Sequence, residues 1–474
     1  MIVEQLYTQC LAQGAYYLES QGDAAIIDPL REFQPYVELA ERRGAKIKYI
    51  FETHFHADFV SGHVDLAKAT GATIVYGPTS IQTGFEAYIG EDGEEFKLGE
   101  STIRLIHTPG HTMESSCYLL MDETGKATSI FTGDTLFIGD VGRPDLAQHV
   151  ISDLTPEFLG SHLYDSLRNK ILPLADEIIV YPGHGAGSAC GKNLSKETRD
   201  TLGNQKRTNA ALRPGLSKAE FIKELLSGLM PPPGYFPENV RMNMKGYESF
   251  IKVMAHGSQA LSVEAFEAEW KKTHALVLDT RKAADFGAGF IPGSINIGLE
   301  GNFAPWVGAL IHDIRQPILF LANEGKEADV VTRLARVGYD HAIGFLNGGI
   351  DAWIKAGKPV DTIKTITVEE LAKLREQQPH LPIVDVRRKS EFDSEHIPGA
   401  LNAPLDFVED SLQLLSKNKT LYVHCAGGYR SMVFVSIARN KGFRNLVNVK
   451  EGFSGMKASG KFPLTEFVCP NTML

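Results

Sequence analysis

At 474 residues, with 43% apolar and 22% charged side chains, the chain has a globular composition and is too long for one hydrophobic core. About two to four domains are expected. A net charge of −10 at pH 7 without any basic run argues against a nucleic-acid surface, and no run of about 20 apolar residues is present to span a membrane. Cys10, Cys117, Cys190, Cys425 and Cys469 are scattered without pairing spacing, the usage of a reducing cytosol. Met1-Ile2-Val3-Glu4-Gln5 has neither a basic region nor a long apolar core, so no secretory signal is expected and the expected location is cytoplasmic.

Residues 1–30 alternate apolar and polar runs and read as opening hairpins, with Ala24-Ala25-Ile26-Ile27-Asp28 closed by Pro29. Pro35 to Arg43 is a helix ended by Gly44. The apolar run Ile47–Phe51 is a buried strand, and Thr53-His54-Phe55-His56-Ala57-Asp58 lies at its carboxyl end. Alternate positions of an extended segment point the same way, so His54, His56 and Asp58 can converge. Imidazole with carboxylate suits zinc, iron or manganese. A helix follows from about His63 to Thr70, capped by Gly71. Three further ligand candidates end short β-rich runs beside a glycine: His111 in Pro109-Gly110-His111-Thr112, Asp134 in Gly133-Asp134, and His184 in Tyr181-Pro182-Gly183-His184. Four strand-end clusters of ligand type predict a metal site, and the βα alternation to about residue 185 fits an α/β sandwich.

The order HxHxD, PGHT, GD and YPGH resembles the metallo-β-lactamase superfamily over residues 1–255. The resemblance implies an αββα sandwich with a metal at one edge. Phe59 stands where hydrolytic members such as glyoxalase II carry a histidine that, with Asp58 and His184, holds a second metal. Loss of that site is therefore expected, and with it the two-metal clamp. The subgroup most resembled is the persulfide dioxygenases. This implies one Fe(2+) per chain on His54, His111 and Asp134, with His56, Asp58 and His184 orienting the ligands or a bound water. Spacing alone equally allows His56 as a fourth ligand. Gly142-Arg143-Pro144-Asp145 is similar to the same subgroup; Arg143 and Asp145 either brace the metal loop as a pair, or Arg143 meets a substrate carboxylate. Gly187 to Lys196 is small and polar, and Lys192 or Lys196 is a candidate for a thiol cofactor's carboxylate or phosphate. Residues 196–228 read as helical. The stiff Pro231-Pro232-Pro233 opens a closing segment, 229–258, apolar enough to pack.

The second half is an internal repeat. Leu278-Asp279-Thr280-Arg281 answers Val384-Asp385-Val386-Arg387, and Ile291-Pro292-Gly293-Ser294 answers Ile397-Pro398-Gly399-Ala400. Asp-x-Arg followed by Ile-Pro-Gly-Ala resembles the rhodanese family, over 262–358 and 365–474, and implies two small α/β domains with parallel sheets. In the later copy Cys425 follows a buried strand and opens the loop Ala426-Gly427-Gly428-Tyr429-Arg430-Ser431 into a helix. Converging backbone N–H groups and a positive helix end favour a thiolate, so Cys425 is read as a nucleophile able to carry a persulfide, with Arg430 adding charge for an anionic acceptor. In the earlier copy Ala322 and Glu327 stand at those positions, so that copy is expected to be catalytically dead.

The domains expected are thus 1–258, 262–358 and 365–474. The arrangement resembles bacterial persulfide dioxygenase–sulfurtransferase fusions of sulfide detoxification. That implies oxidation of a low-molecular-weight thiol persulfide by dioxygen to sulfite, then transfer of sulfane sulfur through Cys425 to give thiosulfate, in a homo-oligomer (dimer or tetramer) with no nucleic-acid or membrane partner. The alternative is a glyoxalase II-type thioester hydrolase with a rhodanese appendage.

Overall fold

The computed structural model describes residues 1–146, 154–192 and 194–469, so the last five residues of the expected third domain lie outside it. The chain divides into two compact units, Met1–Lys252 with Ala335–Gly338, and Val253–Leu334 with Tyr339–Leu474.

The first unit holds two six-stranded sheets. One runs β1 (Ile2–Thr8), β2 (Gln13–Ser20), β3 (Asp23–Ile27), β4 (Lys46–Phe51), β5 (Thr73–Tyr76) and β6 (Tyr88–Ile89) in that spatial order. The other comprises β7 (Glu95–Leu98), β8 (Ser101–His107), β9 (Ser116–Met121), β10 (Ala127–Gly133), β11 (Ile179–Pro182) and β12 (Asp200–Thr201), also side by side in chain order. The period of two explains how they stack. On β9, Tyr118 and Leu120 point into a core shared with Tyr16, Ile27, Phe51 and Val75 of the first sheet. Cys117 and Leu119 point the other way, onto Leu163 and Leu167 at the end of helix Pro156–Ser166 and on to Phe221 and Leu225 of helix Lys218–Leu226. Both faces are covered, which is why these strands read as continuous apolar runs.

The helices Gln34–Arg43 and His63–Thr70 form as expected and end at Gly44 and Gly71, both left-handed. The stretch 196–228 is less helical than expected. It contains β12, the helix Leu202–Thr208, a short turn at Ala210–Leu212 and the helix Lys218–Leu226, because Pro214-Gly215 breaks the run. The closing segment forms helices Phe236–Lys245 and Phe250–Gly257. The first of these clamps the loop after β4: buried Asn243 donates from Nδ2 to the carbonyls of His56 and Phe59, each at 2.8 Å, and accepts from the Ser61 N–H at 2.9 Å.

The second unit contains two copies of one architecture. Five parallel strands run β13 (Ala260–Leu261), β17 (Ala342–Leu346), β16 (Ile318–Leu321), β14 (Leu276–Asp279), β15 (Ile295–Asn296). The second sheet repeats the order as β18 (Thr365–Ile366), β22 (Leu446–Val449), β21 (Leu421–His424), β19 (Ile383–Asp385), β20 (Leu401–Asn402). The repeated Asp-x-Arg motif closes on itself in each copy: Arg281 forks onto Asp279, and Arg387 onto Asp385, both pairs buried and closest at 2.6 Å. Each arginine also donates to a carbonyl eight residues on, Gly289 or Glu395, tying the strand end to the helix that follows. Among the described residues, no helix is long and apolar enough to cross a membrane.

Candidate metal centre and cysteine loop

His54, His111, Asp134 and His184 each sit just past the end of β4, β8, β10 and β11, and the fold brings these four ends together. The His54 Nε2 lies 4.0 Å and the His111 Nε2 3.5 Å from Asp134 Oδ2. On the other side of the same carboxylate, His184 Nε2 is 3.6 Å from Oδ1 and 3.4 Å from Asp58 Oδ2. All are buried.

The histidines are aimed by their other nitrogens. His111 Nδ1 donates to the Arg143 carbonyl at 2.8 Å. His54 Nδ1 lies 3.0 Å from Thr53 Oγ1, whose hydroxyl donates to Asp28 at 2.8 Å, so the chain of donors runs imidazole to hydroxyl to carboxylate. His184 Nδ1 faces the Ala12 carbonyl at 3.3 Å. Each arrangement turns Nε2 toward the shared carboxylate. Burial, then the neighbouring imidazoles of His56, His111 and His184, push His54 well below its usual range, so it is neutral as a ligand must be. Gly133, in the left-handed region at φ 48°, lets Asp134 turn in; a Cβ there would strike the Thr53 side chain.

Two adjoining donor sets result. The first is His54, His111 and Asp134; the second is Asp58, His184 and Cys190, whose donor atoms lie within 4.8 Å of one another. Both oxygens of Asp134 and Oδ1 of Asp58 are buried without a hydrogen-bond donor. Burial, then Asp58 and Asp134, push the Cys190 thiol up to about 12. Burial alone would lower His184, but Asp58 and Asp134 outweigh it and hold it well above its usual range. Orphaned carboxylate oxygens and excess negative charge in a dry site fit divalent cations, which would displace the protons of His184 and Cys190. Phe59, at the position expected to cost the chain its second metal, is fully buried with its ring centroid 4.3 Å from that of His56, and the Cys190 thiol lies within donor range of Asp58 and His184. The spacing of Cys190 in the sequence carries no signal of this.

His56 turns away from both sets. Its Nε2 lies 3.0 Å from Asp28 and 3.6 Å from Glu52. Burial opposes its charge, but Asp28 and Glu52 raise it to about 9, while burial holds the Glu52 carboxyl well above its own usual range. Arg143 takes the bracing alternative, forking onto Asp145 with two hydrogen bonds of 2.6 Å and donating to the Met230 carbonyl. Lys192 does not reach the metal ligands: its Nζ donates to the carbonyls of Glu224 and Ser227 at 2.7 Å, closing the carboxyl end of helix Lys218–Leu226.

In the second unit Cys425 is buried at the end of β21, and its Sγ accepts the Gly428 N–H at 3.1 Å. Ala426, Gly427, Gly428 and Tyr429 lead into helix Tyr429–Asn440, and Ser431 donates back to the Gly428 carbonyl. Arg430 departs from expectation: its guanidinium forks onto Glu391 at 2.6 and 2.8 Å and is not a bare charge awaiting an acceptor. Tyr429 donates to the Gly298 carbonyl of the earlier copy at 2.9 Å.

Residues 9–184 match the Metallo-beta-lactamase superfamily, and 262–356 and 367–459 each match the Rhodanese-like domain. The chain is a metallo-β-lactamase fold followed by two rhodanese-like domains. A metallo-beta-lactamase from Staphylococcus aureus subsp. aureus COL aligns with a TM-score of 0.63 and 29% identity, over 73% of this chain and 98% of that one. Over 182 residues the chain is 30% identical to "Hydroxyacylglutathione hydrolase cytoplasmic" of Arabidopsis thaliana, 38% of this chain and 66% of that protein. Over 214 residues it is 28% identical to "Hydroxyacylglutathione hydrolase GloC" of Haemophilus influenzae, 41% of this chain and 89% of that protein. The chain thus spans 66% or less of the length of several curated relatives. These names overturn the expected activity. The curated relatives of the first domain are hydrolases, which backs the thioester alternative over iron-dependent persulfide oxidation coupled to thiosulfate formation.

Proposed function

We propose that the first domain is a metal-dependent thioester hydrolase acting on an acylated low-molecular-weight thiol, and that Cys425 of the third domain is a sulfur-carrying nucleophile. The observation that carries the hydrolase reading is the second donor set, Asp58, His184 and Cys190, across the Asp134 carboxylate from the first. A single ferrous ion on His54, His111 and Asp134 leaves that set without a purpose. Imidazole, carboxylate and thiolate together favour zinc, two ions per chain. Such ions supply Lewis-acid polarisation of the thioester carbonyl and a water acidic enough to attack it at neutral pH.

The chain's own residues do the rest. Thr53 and the Arg143 carbonyl fix the tautomers of His54 and His111. His56 stays charged and out of the ligand sphere, while Asn243 holds the loop that bears it. The wholly buried surround keeps competing water from the carboxylates. In the third domain the Gly428 N–H stabilises negative charge on Cys425 Sγ. Its thiolate attacks the terminal sulfur of a sulfane donor; one S–S bond forms, the donor's bond breaks, and the donor leaves with the electron pair as an anion.

The test is metal analysis of the purified full chain together with turnover of a hydroxyacylglutathione thioester. Two zinc ions per chain are expected, with turnover lost in Asp134→Asn and the second ion lost in Cys190→Ser. A single iron with no thioester turnover overturns the reading.

A further inference from the structure

We propose that the catalytically silent rhodanese-like copy is a binding site for the body of a carboxylate-bearing low-molecular-weight thiol that exchanges sulfur with Cys425. This rests on the reading of Cys425 as a sulfur carrier. A cavity of about 810 Å³ lies between the two copies within the second unit, a size suited to a small organic ligand and too small for a macromolecule. Its walls come from the degenerate loop of the earlier copy, including Asn323, Glu324 and Lys326, and from Gly427, Gly428 and Tyr429 of the Cys425 loop. Gly428, whose N–H bonds Cys425 Sγ, is one of the residues of that shared wall.

Two independent features specify the ligand. Asn448 lines the cavity at 2% exposure, and its Oδ1 is buried without a hydrogen-bond partner. An unpartnered buried acceptor calls for a donor such as a ligand amide or ammonium. The cationic lining supplies the second feature. Lys282 and Arg333 are paired with Glu300 and Asp329, and Lys450 lies 3.7 Å from Glu451, but Lys326 has no carboxylate within ion-pair distance among the described residues. Glu324 faces the same space, so the fit is to a zwitterionic or peptide-like anion and not to a bare inorganic one. Ala284, Ile363 and Met432 give the cavity an apolar side for the ligand's carbon skeleton. Ala322 stands in this copy where the other has Cys425, so the pocket holds no thiol of its own and abuts the cysteine loop of the other copy.

S-methylglutathione, which bears carboxylates and amides but cannot exchange sulfur, is the probe. The readout is the rate of Cys425 carboxamidomethylation in the full chain, followed by peptide mass. The probe is expected to slow alkylation, and Lys326→Glu and Asn448→Leu each to raise the concentration needed by about tenfold, the loss of one such contact. Lys326 is exposed, so its variant folds even where Asn448→Leu does not. Thioester turnover stays unchanged in both. Slowing that survives both substitutions, or equal slowing by sulfate, overturns the site. No slowing at millimolar probe overturns it as well. A Cys425 that resists alkylation without probe overturns the sulfur-carrier reading itself, a separate result.

Discussion

Gly183→Ala tests the shared carboxylate most sharply. A Cβ on Gly183 would lie 2.6 Å from Asp134 Oδ1 and 3.1 Å from the Gly133 carbonyl carbon. Ordinary contact begins near 3.4 Å, so the carboxylate is about 0.8 Å too close. The Gly183 backbone cannot retreat: its N–H donates to the Gly133 carbonyl at 2.8 Å and its carbonyl accepts from Gly14 at 2.9 Å. Asp134 must therefore move, and its two oxygens face His111 of one donor set and His184 of the other. A misplacement approaching 1 Å costs about 100-fold in rate, and the overpacking about 1–3 kcal/mol in stability. Metal content and thioester turnover are the assays, with Cys425 alkylation in the second unit as the internal control. Gly234→Ala, where the added Cβ meets nothing within 4 Å, is the silent comparison. Retention of metal content and of turnover within about twofold of the parent would refute the proposed role of Asp134 as a residue that would hold the metal.

Two further substitutions separate structural from catalytic roles. Arg143→Ala leaves the buried Asp145 carboxylate without its forked partner, a loss of about 3–5 kcal/mol, and frees the loop whose carbonyl holds His111. A fall in thermal stability and metal content is expected; an isolated rise in KM would restore Arg143 to substrate binding. Glu391→Gln removes the partner of Arg430. Burial raises the Glu391 carboxyl, but Arg430 outweighs it and holds the group below its ordinary 4.5. A lowered folded value means the pair stabilises above pH 4.5 and stops doing so as pH falls through the lowered value. The parent should therefore be more stable than the variant at pH 7 by no more than about 1 kcal/mol, read from denaturant unfolding, the gap closing in acid. A gap independent of pH refutes the pairing.

The parts of this molecule legible in the sequence are those that chemistry confines to local patterns. His54, His111, Asp134 and His184 announce themselves because a ligand at a strand end needs a turn, and turns need glycine. The two rhodanese-like copies announce themselves because Asp-x-Arg folds back on its own strand, a contact two residues long. What stays hidden depends on contacts far apart in the chain: Cys190 joining Asp58, Glu391 meeting Arg430, Tyr429 crossing to Gly298. Phe59 shows how a local pattern speaks for one side chain alone: it says that no imidazole stands at position 59, while the fold packs that ring against His56 and brings Cys190 beside Asp58 and His184. Phe59→His, the change that would make the motif look more hydrolytic, should therefore fail to improve the site. The new imidazole would be buried beside the charged His56, costing about 1–3 kcal/mol. Metal content is expected to stay near two ions in this variant and near one when it is combined with Cys190→Ser. Recovery of the second ion in the double variant would show that position 59 still faces the metal, and that Cys190 is not the donor.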